Sequence, residues 1–287
     1  MTSILHLSDV HLGPPFLPHV ARAVTAQASE LDPDVIVVSG DLTQRAKPPQ
    51  YRDAAEFLGR FCRPVIVTPG NHDVPLYRIW ERLFAPYRNY RRYIFPELDT
   101  VTELPGLVIV ALNSTRRFTL TNGRIRSWQL EFARQAFRHA PEGSLRVVVT
   151  HHHLAPPPDL AGGNVMPRAR RALEWFTRLG VDLILAGHMH RSYIGNSLDF
   201  FPGELDRRGI VVVQCGTTTS KRGRGRERQK NTFNVIRVMG DTIRVAHYLW
   251  IGDLGRFMPA SEHIFPRGAT QYFQGEIPVQ KTSGWPE

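Results

Sequence analysis

Histidine, aspartate and asparagine side chains recur in short clusters, each of which follows an apolar run. The run "VVVTHHH" places His151, His152 and His153 directly after a β-branched segment. Four other clusters share this placement: "SDVH" (Asp9, His11), "GD" (Asp41), "GNHD" (Asn71, His72, Asp73) and "GHMH" (His188, His190). Imidazole, carboxylate and amide groups are the ligands that proteins offer to divalent transition metals. The pattern therefore predicts a metal site.

The number of these side chains favours two metal ions over one. A single ion takes about four to six ligands. The seven candidate ligands are Asp9, His11, Asp41, Asn71, His151, His188 and His190. Asp41 stands alone after its strand and is the natural bridge between two ions. Mixed oxygen and nitrogen donors without thiolates suit Mn²⁺, Fe²⁺/Fe³⁺ or Zn²⁺. Two ions about 3.5–4 Å apart can hold a hydroxide and clamp a phosphoryl group for in-line attack.

The elements that must position these residues alternate along the first two thirds of the chain. Strands are predicted over 2–8, 34–41, 63–73, 107–114, 145–153 and 181–190. Helices are predicted over 18–31, 51–61, 126–140 and 168–180, with another around 77–91. This alternation predicts an α/β fold with mixed sheets. Ligands of such folds bind outside the carboxyl ends of the strands, so the five polar clusters are expected to converge.

The last third of the chain has a different pattern. "GIVVVQCGTTTS", "NTFNVIRVMG" and "TIRVAHYLWI" predict antiparallel strands, the second and third forming a hairpin across residues 239–242. The glycine-laced basic stretch 220–230 is expected to be an exposed loop. The domain is predicted to span residues 1–253, followed by a tail (254–287) without a clear period that wraps the domain or is partly mobile.

Composition limits the class of protein. The chain has 287 residues, of which 42% are hydrophobic and 22% charged, as in ordinary globular proteins. We find no apolar run near the roughly 18 residues of a membrane helix and no secretion signal at the start. Cys62 and Cys215 do not suggest a disulfide framework, so we expect a cytoplasmic protein. The net charge of +10 favours anionic partners, although a basic solvated surface explains it as well.

The ordered motifs "HLSDVHLG", "VVSGDLTQ", "VTPGNHD", "THHHLAP" and "LAGHMH" resemble those of the calcineurin-like metallophosphoesterases. The resemblance covers roughly residues 4–240 and is closest to the bacterial subgroup of class III cyclic-nucleotide phosphodiesterases and glycerophosphodiesterases. It implies a four-layer α/β/β/α sandwich with two mixed β-sheets. It also implies a dinuclear site in which a metal-bridging hydroxide attacks phosphorus.

The resemblance assigns roles to individual residues. It implies a first ion bound by Asp9, His11, Asp41 and His190, and a second bound by Asp41, Asn71, His151 and His188. His72 would contact the phosphate and assist the leaving group, and Asp73 would orient His72. His152 would lie near the site, supporting a ligand or contacting substrate. For His153 we expect a structural role.

The expected substrate is a small anionic phosphodiester, such as a cyclic nucleotide. Two alternatives retain the fold and the chemistry. One is a pyrophosphatase or phosphodiesterase of nucleotide-linked lipids in peripheral contact with a membrane, suggested by the aromatic and basic segment up to 91–95. The other is a nuclease that uses loop 220–230, which the length of the chain disfavours. A non-catalytic interaction module is a third alternative, disfavoured because every ligand position is filled. The sequence does not specify an oligomeric state.

Overall fold

Twelve strands and six helices follow one another in the computed structural model, which describes residues 1–155, 165–199 and 209–268. The strands are β1 (Thr2–Leu7), β2 (Val35–Val38), β3 (Val65–Val67), β4 (Thr100–Leu104), β5 (Leu107–Leu112), β6 (Leu145–Thr150), β7 (Leu183–Ala186), β8 (Tyr193–Asn196), β9 (Val211–Gln214), β10 (Thr232–Met239), β11 (Thr242–Ile251) and β12 (Arg256–Pro266). The helices are α1 (Pro18–Leu31), α2 (Pro48–Leu58), α3 (Ile79–Phe84), α4 (Arg88–Tyr93), α5 (Ser127–Arg138) and α6 (Ala169–Arg178).

The strands form two mixed sheets. The first has the order β12-β11-β10-β1-β2-β3 and the second the order β4-β5-β6-β7-β9-β8. Strands β1, β2 and β3 are parallel, as are β5, β6, β7 and β9. Strands β10 to β12 extend the first sheet as an antiparallel meander beside β1. The parallel strands explain why sequences such as "VIVV" in β2 are apolar at every position, because both of their faces are buried.

Three apolar layers hold the fold together. Side chains such as Ile4 and Val37 of the first sheet pack against Ile109 and Val147 of the second, which fills the space between the sheets. The outer face of the first sheet packs on α1 and α2. The outer face of the second packs on α5 and α6. The predicted α/β fold with two mixed sheets is therefore confirmed, and its layers follow the order helix, sheet, sheet, helix.

Most predicted elements are present, but the helix expected around 77–91 is two short helices. Helices α3 and α4 are separated by residues 85–87, which include Pro86. A proline has no backbone N–H and its ring clashes with the preceding turn, so a helix cannot continue through it. The prediction of one helix around 77–91 is wrong because Pro86 interrupts the helical hydrogen bonds in the middle of the segment.

The last third also differs from the prediction. Strand β9, expected to be antiparallel, pairs antiparallel with the edge strand β8 on one side but parallel with β7 on the other. A buried run of valines looks the same in either direction, so the sequence could not decide between them. The hairpin of β10 and β11 is present as predicted. Where an irregular tail was expected after residue 253, residues 256–266 form β12, paired along β11.

Strand β12 was not predicted because it is an edge strand and lacks the apolar pattern of the central strands. Its sequence "RFMPASEHIFP" is largely exposed and contains two prolines, which edge strands tolerate. Residues 269–287 of the predicted tail lie outside the described residues. No helix in the described ranges has the length and apolar character needed to cross a bilayer.

Candidate metal centre

The five predicted clusters meet at the carboxyl ends of parallel strands. Asp9 and His11 follow β1, Asp41 follows β2, and Asn71 and His72 begin a short 3₁₀ turn after β3. His151 follows β6 in the second sheet, and His188 and His190 follow β7. The two sheets therefore each supply part of one site. This convergence is what the position of the clusters after the strands predicts.

Five of the seven candidate ligands have left-handed backbone conformations. Their φ angles are 52° for Asp9, His11 and Asp41, 74° for His188 and 54° for His190. Such values are uncommon for residues other than glycine and cost roughly 1–3 kcal/mol each. The loops must therefore be held by their surroundings so that these side chains turn inward after the strands end.

A glycine in the "GNHD" motif permits the closest approach of two loops. A Cβ atom on Gly70 would lie 2.1 Å from Asp41 Oδ1 and 2.2 Å from the backbone nitrogen of Asp41. No side chain can be accommodated at these distances. The motif therefore needs glycine at this position to bring Asn71 and His72 against Asp41.

A first group of donor atoms consists of Asp9, His11, Asp41 and His190, whose ligand atoms all lie within 4.8 Å of one another. The Nε2 atom of His11 is 3.7 Å from Asp9 Oδ1 and 3.7 Å from Asp41 Oδ2. The Nε2 atom of His190 is 3.6 Å from Asp9 Oδ1. All four side chains are buried.

A second group consists of Asp41, Asn71, His151 and His188. His151 Nε2 lies 3.4 Å from Asp41 Oδ1 and 3.1 Å from Asn71 Oδ1. His188 Nδ1 lies 2.9 Å from Asn71 Oδ1 and 3.3 Å from His151 Nε2. Asp41 therefore belongs to both groups, with Oδ2 directed to the first and Oδ1 to the second.

The spacing of these atoms fits metal coordination. Ligand atoms bound at about 2.1 Å are about 3.0–3.4 Å apart around an octahedral or tetrahedral ion. The second group has this spacing, and the first is slightly wider. Three atoms of the site are buried but form no hydrogen bond with any of the described residues: Asp9 Oδ1, Asp41 Oδ2 and His11 Nε2. Unpaired polar atoms of this kind are costly unless a cation satisfies them.

Hydrogen bonds behind the donor atoms fix their orientation. The Nδ1 atom of His151 lies 2.8 Å from the Ser39 carbonyl oxygen. A carbonyl only accepts, so Nδ1 carries the proton and Nε2 keeps a lone pair directed at the site. His190 Nδ1 bonds to Thr217 Oγ1 at 2.7 Å. Asp9 Oδ2 accepts hydrogen bonds from Ser8 Oγ at 2.7 Å and from the His188 backbone N–H at 3.0 Å. Such supports are common behind metal-binding histidines and carboxylates.

Burial sets the charge state of these groups. Burial lowers the pKa of His188 to about 2 and that of His190 to about 3, so both imidazoles are neutral near pH 7. Burial and the nearby carboxylates of Asp9 and Asp73 raise the pKa of Asp41 well above its usual range. Two carboxylates that share a buried site cannot both ionise without a compensating cation. A divalent cation would therefore release a proton from Asp41.

His72 lies at the open side of the donor groups. Its Nδ1 donates to the Gln44 carbonyl oxygen at 3.0 Å, which leaves a lone pair on Nε2. Burial lowers the pKa of His72 to about 3. A cavity of about 230 Å³ adjoins this side chain, with Asn71, Leu76 and Leu120 in its wall. This volume is below the roughly 300–1,000 Å³ of a typical ligand pocket, so the cavity fits only part of a small molecule.

Asp73 has a different position from the one expected. Its carboxylate accepts hydrogen bonds from the backbone N–H groups of Leu42, Thr43 and Gly70 at 2.8–3.1 Å. It therefore joins the loop after β2 to the loop after β3, and it is the Gln44 carbonyl that orients His72. The expectation that Asp73 orients His72 is corrected, since its oxygens face backbone donors.

The remaining histidines of the run pack behind the site. His152 is 2% exposed, and its Nδ1 lies 2.8 Å from Ser114 Oγ. Its ring centroid is 4.6 Å from that of His188, a position that suits support of a ligand rather than contact with substrate. His153 is 3% exposed and stacks on His188 with ring centroids 5.9 Å apart. This position agrees with the structural role expected for it.

Arg222 is a residue of the site that the sequence did not single out. It belongs to the stretch 220–230, which was expected to be exposed, yet it is half-buried. Its Nη2 lies 3.4 Å from His72 Nε2, and its charge acts on Asp41 and Asp9. The loop is anchored at the site, since the Arg224 N–H donates to the His190 carbonyl oxygen at 3.0 Å. The basic composition was a signal, but it could not identify which arginine faces inward.

Comparisons of the sequence with known proteins identify its family. The profile described as "Calcineurin-like phosphoesterase" matches residues 2–192. A probable cyclic nucleotide phosphodiesterase of Synechococcus is 28% identical over 219 residues, covering 70% of this chain and 78% of the relative. A cAMP/cGMP dual specificity phosphodiesterase of Mycobacterium tuberculosis is 27% identical over 267 residues, covering 84% of this chain and 77% of the relative.

The fold is also similar to solved structures. A purple acid phosphatase from yellow lupin superposes with a TM-score of 0.69 at 14% identity, covering 94% of this chain and 54% of that protein. At this identity the likeness concerns the fold alone. The suspected family and subgroup are therefore confirmed by the sequence matches, and the fold by the structural match.

Proposed function

We propose that this chain, which belongs to the calcineurin-like phosphoesterases, is a phosphodiesterase that uses two divalent metal ions. It is a metal-dependent phosphoester hydrolase; the number of ions and the diester substrate are the proposal. One observation carries it: the two carboxylate oxygens of Asp41 are directed to two different donor groups. A carboxylate in this position would hold one ion through each of its oxygens.

The ligand sets follow from the two groups. We assign Asp9, His11, Asp41 and His190 to one ion, and Asp41, Asn71, His151 and His188 to the other. When bound, the pair supplies Lewis-acid charge to the phosphoryl oxygens and activates the attacking water. The donors suit Mn²⁺, iron or Zn²⁺.

Two further side chains act on the substrate in this proposal. Arg222 binds a phosphoryl oxygen, because its guanidinium already lies at the mouth of the site beside His72. His72 holds the proton for the leaving oxygen on Nε2, since its Nδ1 is fixed by Gln44. In the ligand-free protein His72 is neutral, and an anionic phosphodiester beside Nε2 raises its pKa and allows protonation.

A small diester is the substrate class we propose, with cyclic nucleotides first. The relatives named as cyclic nucleotide phosphodiesterases support this class. The limited cavity beside Asn71 and His72 also favours a small diester over a polymeric one. A cytoplasmic location remains part of the proposal, as the content of only two cysteines suggests.

The test compares bis(p-nitrophenyl) phosphate, p-nitrophenyl phosphate and 3′,5′-cyclic AMP as substrates of chelated protein before and after addition of Mn²⁺. We expect metal-dependent cleavage of the diesters in preference to the monoester. Asp41→Asn should lower the rate by roughly 10³-fold or more, because the bridging carboxylate is lost. Asp53→Asn, at an exposed position on α2, is the matched control and should retain full activity.

Elemental analysis completes the test. The reconstituted wild-type chain should hold two metal ions and the Asp41→Asn variant fewer. One ion per active chain would contradict the dinuclear site, and absence of diester turnover with Mn²⁺, Fe²⁺ and Zn²⁺ would contradict the proposed activity.

A further inference from the structure

Large apolar side chains cluster on the surface beside the metal centre. They come from the segment that contains α3 and from the loop 116–122, and each is 59–77% exposed. We call this surface the aromatic platform, and it consists of Tyr77, Ile79, Trp80, Phe84, Phe118 and Leu120. Single exposed apolar residues are ordinary, but a contiguous set marks an interaction surface.

The two segments of the aromatic platform form one surface. Arg82 is 7% exposed, and its guanidinium donates hydrogen bonds to the carbonyl oxygens of Pro75 and Arg117 at 2.9 and 2.6 Å. Arg117 in turn donates to the Leu83 carbonyl oxygen at 2.9 Å. The rings of Trp80 and Phe84 stack with centroids 6.0 Å apart. These bonds hold the two backbone segments against each other, so their exposed apolar side chains belong to one surface.

The rim of the aromatic platform is basic. Residues 114–128 include four arginines and no acidic residue, and residues 74–95 include five arginines and one acidic residue, Glu81. Glu81 pairs with Arg78 and accepts a hydrogen bond from Asn89 Nδ2 at 2.9 Å, so its charge is compensated. Arg45 lies 5.3 Å from the centroid of the Tyr77 ring. Arg82 is buried and Arg78 is paired, but Arg45 and Arg117 each lie against a ring of the aromatic platform, and Arg88, Arg91 and Arg92 are exposed on the segment that contains α4.

The aromatic platform is continuous with the site. Leu120 and Leu76 line the cavity that adjoins Asn71 and His72. The segment of α3 follows directly from the "GNHD" motif along the chain. A molecule or surface that covers the aromatic platform thus borders the entrance to the metal centre.

We propose that the aromatic platform binds the surface of an anionic lipid bilayer. Aromatic and leucine side chains enter the boundary of headgroups and acyl chains, while arginines with apolar stems and charged ends pair with lipid phosphates. A second copy of this chain would place the same arginines against each other, so charge complementarity favours an anionic surface. The contact would be peripheral. The inference goes beyond the proposed function and does not depend on it.

The test is sedimentation of the metal-loaded full chain with vesicles. One set contains phosphatidylglycerol and phosphatidylcholine in equal parts, and the other contains phosphatidylcholine alone. We expect binding to the anionic vesicles that weakens at high salt, because screening reduces the arginine–phosphate attraction. Trp80→Ala/Phe84→Ala should lower the partition coefficient at least ~10-fold, because two rings no longer leave water.

A matched control removes two exposed apolar side chains elsewhere. Met239→Ala/Ile264→Ala alters the end of the first sheet opposite the metal centre and should bind vesicles as the wild type does. Far-ultraviolet circular dichroism and turnover of bis(p-nitrophenyl) phosphate report whether each variant is folded. If no diester is cleaved by any form, the proposed function fails while vesicle binding still tests this inference.

Three results would overturn the proposal. The first is the absence of sedimentation with anionic vesicles, and the second is equal binding by wild type and Trp80→Ala/Phe84→Ala. The third is a wild-type dimer in analytical ultracentrifugation that this double variant converts to a monomer. That result would identify the aromatic platform as an interface between two copies of the chain.

Discussion

The protonation states of single residues at the metal centre depend on their surroundings as well as on the residue type. His188 and His190 are neutral because they are buried, so their lone pairs are available without loss of a proton. Burial, together with the nearby Asp9 and Asp73, raises the pKa of Asp41. The same fold therefore holds neutral donors and a carboxyl group that ionises when a cation arrives.

Arg222 provides a prediction at this scale. Arg222→Ala should lower kcat/KM for a phosphodiester roughly 10–100-fold, because a hydrogen bond from a cation to the phosphoryl oxygen is lost. The kcat/KM of Arg222→Lys should lie between those of Arg222→Ala and the wild type, because the positive charge remains but the planar guanidinium is lost. Metal content should not change, because Arg222 is not a ligand. Initial rates and elemental analysis measure both quantities.

The exposed Arg228 in the same loop is the matched control. Arg228→Ala should retain wild-type kcat/KM at the same ionic strength. Equal losses in the Arg228 and Arg222 variants would instead show a general effect of positive charge on substrate approach, and would remove Arg222 from the site.

At the scale of elements, the sequence predicted helices and strands correctly where their local start and stop signals agreed. The helix predicted over 18–31 coincides with α1, which begins at Pro18 and ends where Asp32 takes a left-handed conformation. The site could be predicted because polar residues after parallel strands must converge. The inward turn of Arg222 could not, because it depends on contacts of its loop with Pro15 and His190, which are distant in sequence.

Strand β12 supplies a prediction about the extent of the domain. Phe257 is fully buried and packs on Phe233 with ring centroids 4.6 Å apart, and Gln27 of α1 bonds to its backbone. Phe257→Ala should therefore lower the free energy of unfolding by about 3–5 kcal/mol. The neighbouring side chain of Met258 is 37% exposed, so Met258→Ala should cost less than about 1 kcal/mol.

Urea denaturation of both variants measures this difference. A chain that ends at residue 253 should be strongly destabilised for the same reason, since it lacks the whole of β12. If Phe257→Ala and the shortened chain unfold at the wild-type urea concentration, the domain ends at residue 253 as the sequence suggested and β12 is dispensable.

Several histidines of the molecule are neutral near pH 7 because they are wholly or largely removed from solvent. Burial lowers the pKa of five of them to between about 2 and about 4: His6, His72, His188, His190 and His247. Their unfolded pKa is about 6.5, so between about pH 6.5 and 4 the unfolded chain binds protons that the folded chain does not. Stability must then fall as the pH falls through this window, by about 1.4 kcal/mol per pH unit for each proton.

Buried carboxyl groups with raised pKa values act in the opposite direction. Four carboxyl groups, those of Asp41, Asp73, Asp99 and Glu227, bind protons in the folded chain at pH values where the unfolded chain does not, which favours folding at low pH. The histidines are more numerous, so we expect the metal-free protein to lose stability steeply from pH 6.5 to 4.5. Urea midpoints of chelated protein measure the slope. His6→Asn removes a buried histidine that is not a metal ligand. It should reduce the slope of the unfolding free energy against pH by the contribution of about one proton. A wild-type stability that does not change with pH over this range would contradict the prediction.

The division of the ligands between the two sheets has a consequence for how the molecule is assembled. The first sheet contributes Asp9, His11, Asp41 and Asn71, and the second contributes His151, His188 and His190. Neither sheet alone completes either group of donors, so the full affinity for metal exists only when the sheets are docked. In the proposed dinuclear site, each ion would act as a non-covalent cross-link between the two sheets at one edge of the sandwich.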